Sequence, residues 1–314
     1  MRGSESRHDV KYSTTEELLR KSREQGEIGV MGGRMRPGAA VAVLLAGALT
    51  LSACGSSAKG SAASGKGSRT TVEVAGGLSD PTEEGVIKYV ADSIAPSYGI
   101  SVKFVPVDDG TALIKELDNG TSIDAAVLGY KPWIDSLDRS EGYHVSAVAP
   151  LFSQYWVFYS KKHASLKDLP DGATVAYRGD AAFYTGQFLL ALQKLGVIGL
   201  DANRDPLTIS TKDVTSNPKK LKFVSVQSAA RALDDVDLAA SQSTEFSLAG
   251  VPDTYEVAKV KNQDLFAKQL AVRADRVSEP GIQKVIKAFN DPRVGQWATK
   301  HYGNLVAPVR RTAG

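Results

Sequence analysis

The sequence has one cysteine and few histidines. Cys54 stands alone among 314 residues, which excludes an intramolecular disulfide, paired-cysteine zinc sites and CxxC redox motifs. Of the four histidines, His144, His163 and His301 follow Cys54, and no two of them lie at the spacing of metal ligands. A nucleophile elbow, a phosphate-binding loop and a dinucleotide fingerprint are also missing. The sequence therefore predicts no catalytic constellation, no cofactor and no metal site.

An excess of either charge is missing as well. Lysine and arginine total 38 against 35 aspartate and glutamate residues, a formal net charge of +3. Without a basic block there is no electrostatic footprint for nucleic acid. After Cys54 no apolar run approaches the roughly 20 residues that a membrane-spanning helix needs. We therefore expect no nucleic-acid partner, and membrane contact through the N-terminal part alone.

That N-terminal part contains an export signal. Residues 39–51 form an uncharged apolar run, with Arg34 and Arg36 before it and small residues after it. A positive n-region, a short apolar h-region and a small-residue cleavage site are the parts of a signal peptide. We predict the signal peptide to cover residues 31–53.

The cysteine lies where cleavage would make it the new N-terminus. Leu51-Ser52-Ala53-Cys54 resembles the lipobox of bacterial lipoproteins, in which the thiol receives a diacylglycerol before the signal is removed. We therefore predict Cys54 as the lipidation site and an anchor on the extracytoplasmic face of the cell membrane. An ordinary signal peptide with an incidental cysteine is the alternative.

Two polar segments flank the signal. Residues 1–30 do not resemble the start of an export signal, so we interpret them as upstream of a true start at Met31 or Met35, or else as a disordered extension. Residues 54–69 are rich in Gly, Ser, Ala and Lys and have nothing to bury. Such a tract is a flexible tether with an r.m.s. reach of roughly 20 Å.

From Thr70 onward, short β-branched runs alternate with amphipathic helices. Asp80 is a predicted N-cap ahead of a helix that runs to about residue 95. Residues 145–150 and 152–160 are predicted as two strands, and Asp180 as the N-cap of a later helix. Strands that alternate with helices predict βαβ units and largely parallel sheets. The predicted fold is α/β in two lobes.

Aromatic residues cluster where predicted strands end. Tyr130 and Trp133 follow the strand at 123–128, and Tyr184 follows the strand at 174–177. Ligands of open α/β sheets bind in crevices at the carboxyl ends of strands, and aromatic walls with a few polar groups suit a small amphipathic ligand. The pattern favours a small-molecule cleft, although some of these rings are expected in the core.

Several segments together resemble the methionine-binding lipoproteins of the NlpA type. The segments that carry the resemblance are Asp124-Ala125, Lys131-Pro132-Trp133-Ile134, Tyr159-Ser160-Lys161-Lys162, Leu169-Pro170-Asp171-Gly172, Leu192-Gln193-Lys194-Leu195-Gly196 and Asn217-Pro218-Lys219-Lys220. The resemblance covers nearly all of residues 70–308. It implies a bilobal, type II periplasmic-binding-protein-like fold, with two α/β lobes joined by crossover strands and a ligand cleft between them. Lobe 1 would comprise residues 70–153 and 244–314, and lobe 2 residues 154–243.

The same resemblance implies a function. The chain would be a monomeric solute-binding protein of an ABC importer, not an enzyme, whose partners are a permease and its ATPase. Its ligand would be methionine or a related small amino-acid-like solute. A different class stays open: a surface lipoprotein that acts through protein–protein contacts, with a diverged or vestigial cleft. A secreted enzyme has only the fold class in its favour, and fold does not give function.

The resemblance gives five candidate ligand-binding residues: Tyr130, Trp133, Tyr184, Gln187 and Gln242. Arg178, at the end of the strand at 174–177, is the sixth candidate, as a replacement for the family's arginine. The sequence departs from the family pattern at several of these positions: Trp133 replaces a tyrosine, Gln187 replaces the arginine that pairs with the ligand carboxylate, and Gln242 replaces an asparagine. Losing a bidentate arginine removes a contact worth roughly 1.5–3 kcal/mol. Either Arg178 takes over the carboxylate, or the ligand is not a free amino acid and the cleft binds something more apolar or uncharged.

Overall fold

The computed structural model describes residues 70–77, 80–107, 109–120 and 122–309. The predictions for residues 1–69, including the signal peptide, Cys54 and the tether, lie outside these ranges. Arg69–Gly314 form one compact unit. None of the helices in the described ranges is long and apolar enough to cross a membrane. The same ranges contain no cluster of His, Cys, Asp and Glu side chains that would hold a metal ion.

The element order is that of an α/β chain, as predicted. The strands are β1 Thr70–Gly76, β2 Ile100–Pro106, β3 Ala125–Tyr130, β4 Val145–Tyr159, β5 Thr174–Arg178, β6 Gly199–Leu200, β7 Val214–Ser216, β8 Lys222–Val226, β9 Leu238–Gln242, β10 Glu256–Lys261, β11 Lys268–Arg273 and β12 Val306–Ala307. The α-helices are α1 Pro81–Tyr89, α2 Gly110–Asn119, α3 Lys131–Glu141, α4 Ala182–Lys194, α5 Ala229–Ala232, α6 Ser243–Leu248, α7 Pro280–Phe289 and α8 Pro292–His301.

The main sheet has two parallel ends and an antiparallel middle. Its strand order is β2-β1-β3-β11-β4-β9-β5-β8, and β10 and β12 also pair with β4. Strands β2, β1 and β3 are parallel, and so are β9, β5 and β8. The pairs of β11 with β3 and β4, and of β4 with β9, are antiparallel. The prediction of largely parallel sheets therefore holds for the two ends and fails for the strands that connect them.

Strand β4 connects the two halves of the molecule. Its first half pairs with β11 up to Phe152, and its second half pairs with β9 and β10 from Tyr155 onward. The prediction of two separate strands here was wrong. Pro150 lacks a backbone N–H, but it lies opposite Gln269 at an irregular point of the register, and the strand continues through it.

Each half of the sheet contains strand residues that are buried on both faces. In β3, Ala125 and Val127 pack into one cluster of buried residues, while Ala126 and Leu128 pack into another on the opposite face. Residues 156–159 of β4 alternate in the same way between two further clusters. Strands buried on both faces carry continuous apolar runs, because successive side chains point to opposite sides. Complete burial of a Val, Leu or Phe side chain among them contributes roughly 1.5–3 kcal/mol.

The first helix shows how local sequence positions the site. The Asp80 side chain accepts a hydrogen bond from the Thr82 backbone N–H at 3.0 Å, and Pro81 occupies the first helical position. The helical path then continues through a π turn and a 3-10 turn to Gly99, whose φ of 70° ends it. The predicted N-cap is confirmed, and it places the Asp80 carboxylate beside the end of β1.

Candidate functional site: a cavity at the strand ends

A cavity of about 680 Å³ lies where parallel strands from both halves of the sheet end. From the first half it is lined by residues at the ends of β1, β2 and β3; from the second half, by residues at the ends of β5 and β9. This is the place where open α/β sheets bind ligands. Five of the six predicted binding residues line it: Tyr130, Trp133, Arg178, Tyr184 and Gln242.

Tyr130 and Gln242 join the two halves directly. The Gln242 Nε2 group donates to the Tyr130 hydroxyl at 2.6 Å, and each residue is only 4% exposed. The Tyr130 ring also packs edge-on against Phe266 and Phe183, with ring centroids 5.7 and 5.8 Å apart. The Tyr130 hydroxyl thus accepts a hydrogen bond within the protein, and its own O–H group can still donate one.

The position of the Trp133 ring depends on a glycine. Gly129 has a φ of +40°, and a Cβ atom built on it would overlap the Trp133 ring, lying 2.7 Å from Cζ3. A residue with a side chain would be strained at this φ and would displace the indole. Sequence reasoning did not single out Gly129 as a site residue, although a glycine at the end of a buried strand is a signal for close approach.

Arg178 and Tyr184 form the wall contributed by the second half. The Arg178 guanidinium donates to both Asp180 carboxylate oxygens, at 3.1 and 3.3 Å, and lies 4.3 Å from the Tyr184 ring centroid. Asp180 was predicted to cap the following helix, and that prediction was wrong. Helix α4 begins at Ala182 with Ala181 at the N-cap, because the Asp180 carboxylate is bound by Arg178 instead.

Gln187, the sixth predicted residue, lies behind the cavity wall and does not line it. Its side chain is completely buried, and its Oε1 accepts hydrogen bonds from Trp156 Nε1, Asn262 Nδ2 and Gln242 Nε2 at 3.1, 2.5 and 3.4 Å. Its own Nε2 has no hydrogen-bond partner among the described residues. In this geometry Gln187 holds the Gln242 amide in place from behind.

A buried charge cluster that sequence reasoning missed forms another part of the wall. Lys268 makes ion pairs with Glu83 at 2.5 Å and with Asp80 at 3.4 Å. The second Glu83 oxygen accepts from the Gly77 backbone N–H at 3.0 Å, and the Asp80 oxygen that pairs with Lys268, Oδ2, also accepts from Gln154 Nε2 at 3.0 Å. The sequence carried only the capping signal for Asp80 and Glu83, and nothing in it linked them to Lys268, 185 positions after Glu83.

Burial and charge act in opposite directions on this cluster. Burial raises the pKa of the Glu83 carboxyl, and the ammonium group of Lys268 opposes that shift. Burial alone would lower the pKa of Lys268, but the carboxylates of Glu83 and Asp80 raise it well above its ordinary value. Lys268 is therefore charged at neutral pH, and its charge is bound to the two acids.

Two half-sheets joined by through-running strands, with a ligand-sized cavity at the carboxyl ends of both, define a bilobal solute-binding protein of the type II periplasmic class. Comparison with known proteins gives the family. The model of the NlpA lipoprotein family matches residues 75–310. The chain belongs to that family, whose members are binding proteins and not enzymes.

Individual relatives agree with this assignment. The chain is 31% identical to the probable D-methionine-binding lipoprotein MetQ of Haemophilus influenzae, over 82% of this chain and 93% of that protein. It is 29% identical to outer membrane lipoprotein 1 of Mannheimia haemolytica, over 83% of this chain and 94% of that protein. A solved nutrient-binding protein from Burkholderia cenocepacia, bound to methionine, is 30% identical with a TM-score of 0.61, over 74% of this chain and 98% of that one. The predicted fold class and family are confirmed.

Proposed function

We propose that this chain is the lipid-anchored, extracytoplasmic solute-binding component of an ABC importer. It acts as a monomer, binds methionine or a related small amino-acid-like solute in the cavity between its lobes, and delivers the solute to the permease and its ATPase. The observation that carries the proposal is the cavity itself. Its volume of about 680 Å³ lies within the roughly 300–1,000 Å³ of small-molecule sites, and aromatic rings with a few polar groups line it.

The connections between the two halves support a hinge. Strand β4 crosses near Gln154, whose Nε2 donates to Thr244 Oγ1 at 3.2 Å where the chain crosses again between β9 and α6. The Asn262 backbone N–H donates to the Gln154 carbonyl oxygen at 3.2 Å after β10. Crossing segments tied together in this way let two lobes rotate while the cleft residues stay on rigid elements, which is how binding proteins close on a ligand.

The lobe boundaries remain a proposal. We place residues 70–153 and 244–314 in lobe 1 and residues 154–243 in lobe 2. The pairing of β10 with residues 155–159 of β4 favours moving residues 256–261 to lobe 2. Solute binding and release by such lobes needs no catalysed reaction, only different affinities of the open and closed states for the solute.

The lipid anchor is part of the proposal and rests on the lipobox-like Leu51-Ser52-Ala53-Cys54. Cys54 would carry the lipid, and residues 54–69 would hold the compact unit close to the membrane. Relatives of this chain are named as lipoproteins, and the family match covers residues 75–310. A lipid at the N-terminus is the only membrane attachment that the proposal requires.

A melting-temperature screen tests the binding role. Residues 54–314 with Cys54→Ser contain the whole compact unit and carry no lipid. They would be heated with a library of amino acids, amines, sulfonates and small peptides. A solute at 100 times its Kd adds about 2.7 kcal/mol of stability. We expect a shift with at least one small solute; the absence of any shift would contradict the proposal.

A further inference from the structure

The cavity wall carries more negative than positive groups. Six ionisable side chains that are charged at neutral pH in their ordinary state line it, four carboxylates and two cations: Asp80, Glu83, Asp180, Glu245, Arg178 and Lys268. Their formal charges leave an excess of two negative charges. A free amino acid brings a carboxylate of its own into this site, and that carboxylate needs a positive group to bind it.

Both cations on the wall already pair with carboxylates of the protein. Lys268 has only 13% of its side chain exposed and is held by Glu83 and Asp80. Arg178 is bound by Asp180 through two of its nitrogens, and its guanidinium face lies against Tyr184. A ligand carboxylate in either place would lie beside a carboxylate of the protein that already pairs with the cation, and the two negative charges would repel each other.

The fourth carboxylate has no cation of its own. Glu245 Oε1 accepts from Ser228 Oγ at 2.9 Å and from the Ala230 backbone N–H at 3.1 Å, and Oε2 accepts from Ser241 Oγ. None of the lysines or arginines in the described ranges lies within ion-pair distance of Glu245. Its charge is held at the cavity wall by neutral donors, without an ion pair in the described ranges.

Four aromatic rings complete the same wall: Tyr130, Trp133, Phe183 and Tyr184. Phe183 contacts Tyr184 with ring centroids 4.4 Å apart and Tyr130 with centroids 5.8 Å apart, so three of the rings form one continuous surface. The faces of aromatic rings attract cations, and organic ammonium groups are bound in sites of this composition. The Arg178 guanidinium on Tyr184 already makes such a contact.

We propose that the cavity selects an organic cation, a small amine without a free carboxylate. Its ammonium group is bound by Glu245 and shares the Asp180 carboxylate with Arg178, and its apolar part packs on the rings. The proposal rests on the function proposed above, because it names the class of solute that the cavity would take. It decides between the two sequence-based alternatives: Arg178 serves the protein's own Asp180, and the ligand lacks the carboxylate.

A matched series of four compounds tests the charge preference by calorimetric titration of residues 54–314 with Cys54→Ser. Methionine carries both charges, methioninamide and 3-(methylthio)propylamine carry the ammonium alone, and N-acetylmethionine carries the carboxylate alone. We expect at least one of the two amines to bind at least tenfold more tightly than methionine, and no measurable binding of N-acetylmethionine. Methionine binding as tightly as both amines, or more tightly, would overturn the proposal.

If none of the four compounds binds, the charge of the solute found in the melting screen decides whether the cavity selects organic cations. A cation without a carboxylate supports the proposal, whereas a zwitterion, an anion or an uncharged solute overturns it and leaves the proposed function standing. A screen without any binding solute contradicts both. The failure of the cation preference is thereby distinguished from the failure of the solute-binding function.

Two variants separate the roles of the charged residues, with the melting temperature of the unliganded protein as the check on folding. Asp180→Asn is expected to weaken amine binding at least tenfold. Arg178→Gln is expected to tighten it severalfold, because Asp180 is then released toward the ligand. Arg178→Gln with weaker amine binding, or Asp180→Asn with stronger amine binding, would overturn the proposal. Lys103→Ala, on an exposed ion pair of β2, is the control for a lost positive charge.

Discussion

The Gln242 side chain donates a hydrogen bond to the Tyr130 hydroxyl across the cleft, at 2.6 Å. Gln242 ends β9 in the second half of the sheet, and Tyr130 ends β3 in the first. One buried polar contact therefore connects the two walls of the cavity, and Gln187 supports it from behind at 3.4 Å.

Tyr130→Phe removes the acceptor of this contact and keeps the ring. The Gln242 amide then retains only its longer bond to Gln187, so the free energy of unfolding should fall by about 1 kcal/mol. Chemical denaturation measures the change. Tyr143→Phe removes a hydroxyl outside the cavity and should change stability by less than about 0.5 kcal/mol. Equal losses in the two variants would show that the cross-cleft bond contributes nothing.

Gly129→Ala should displace the Trp133 indole into the cavity. We expect a loss of stability of about 2–4 kcal/mol, from the positive φ together with the overlap, and weaker solute binding. Gly142 supplies the control, because it has a φ of +74° but nothing within 4 Å of a built Cβ. Gly142→Ala should therefore lose only the cost of the backbone strain, about 1–2 kcal/mol. The indole overlap is refuted if the two variants lose the same stability and Gly129→Ala binds solute normally.

Lys268→Met should leave Glu83 and Asp80 buried without their cation. Breaking a buried pair in this way costs about 3–5 kcal/mol. Lys103→Met breaks the exposed pair with Glu73, at 2.7 Å, and should cost less than about 1 kcal/mol. Adding Glu83→Gln to Lys268→Met should recover part of the lost stability. A double variant less stable than Lys268→Met alone would contradict the role of Lys268 as the cation that compensates Glu83.

The pH dependence of the Lys268→Met variant has a definite sign. Burial raises the pKa of Glu83, and without Lys268 nothing of equal strength opposes that shift. A raised carboxyl pKa favours the folded state when the group is protonated, and this advantage is lost as the pH rises through the folded-state pKa. The free energy of unfolding of the variant should therefore fall further below that of the wild type from about pH 4.5 upward. A deficit that shrinks over this range would contradict the prediction.

The sequence predicted the parts of this structure that depend on local pattern. Alternation of β-branched runs with amphipathic stretches identified the α/β fold. Aromatic residues after strands identified Tyr130, Trp133 and Tyr184 in the cavity wall, and the comparison with the family pattern added Arg178 and Gln242. Residues 145–150 and 152–160 were predicted as two strands because the β11 residues that pair with β4 around Pro150, and let it continue, belong to a distant part of the chain. The Asp80–Glu83–Lys268 cluster was missed for the same reason, since only the folded chain brings β11 beside the start of α1.

Asp291 provides an acid-sensitive contact far from the cavity. Arg293, which donates to both oxygens at 2.7 and 2.9 Å, holds the pKa of the Asp291 carboxyl well below its usual value. A depressed pKa stabilises the folded state above the unfolded-state pKa of about 3.9, and the contribution is lost as the pH falls. Asp291→Asn should be less stable than wild type at pH 7, by about 1–2 kcal/mol, and the difference should narrow below pH 4. Denaturation at both pH values would show a constant difference if the ion pair were unimportant.

Uptake of the solute from the melting screen by cells of the native host tests the central claim most directly. Deleting the gene should abolish saturable, high-affinity uptake of that solute. The wild-type gene and Lys103→Ala should restore it, while Trp133→Ala, which removes a ring from the cavity wall, should not. High-affinity uptake that is unchanged in the deletion strain would contradict the claim that this chain is the binding component of an importer.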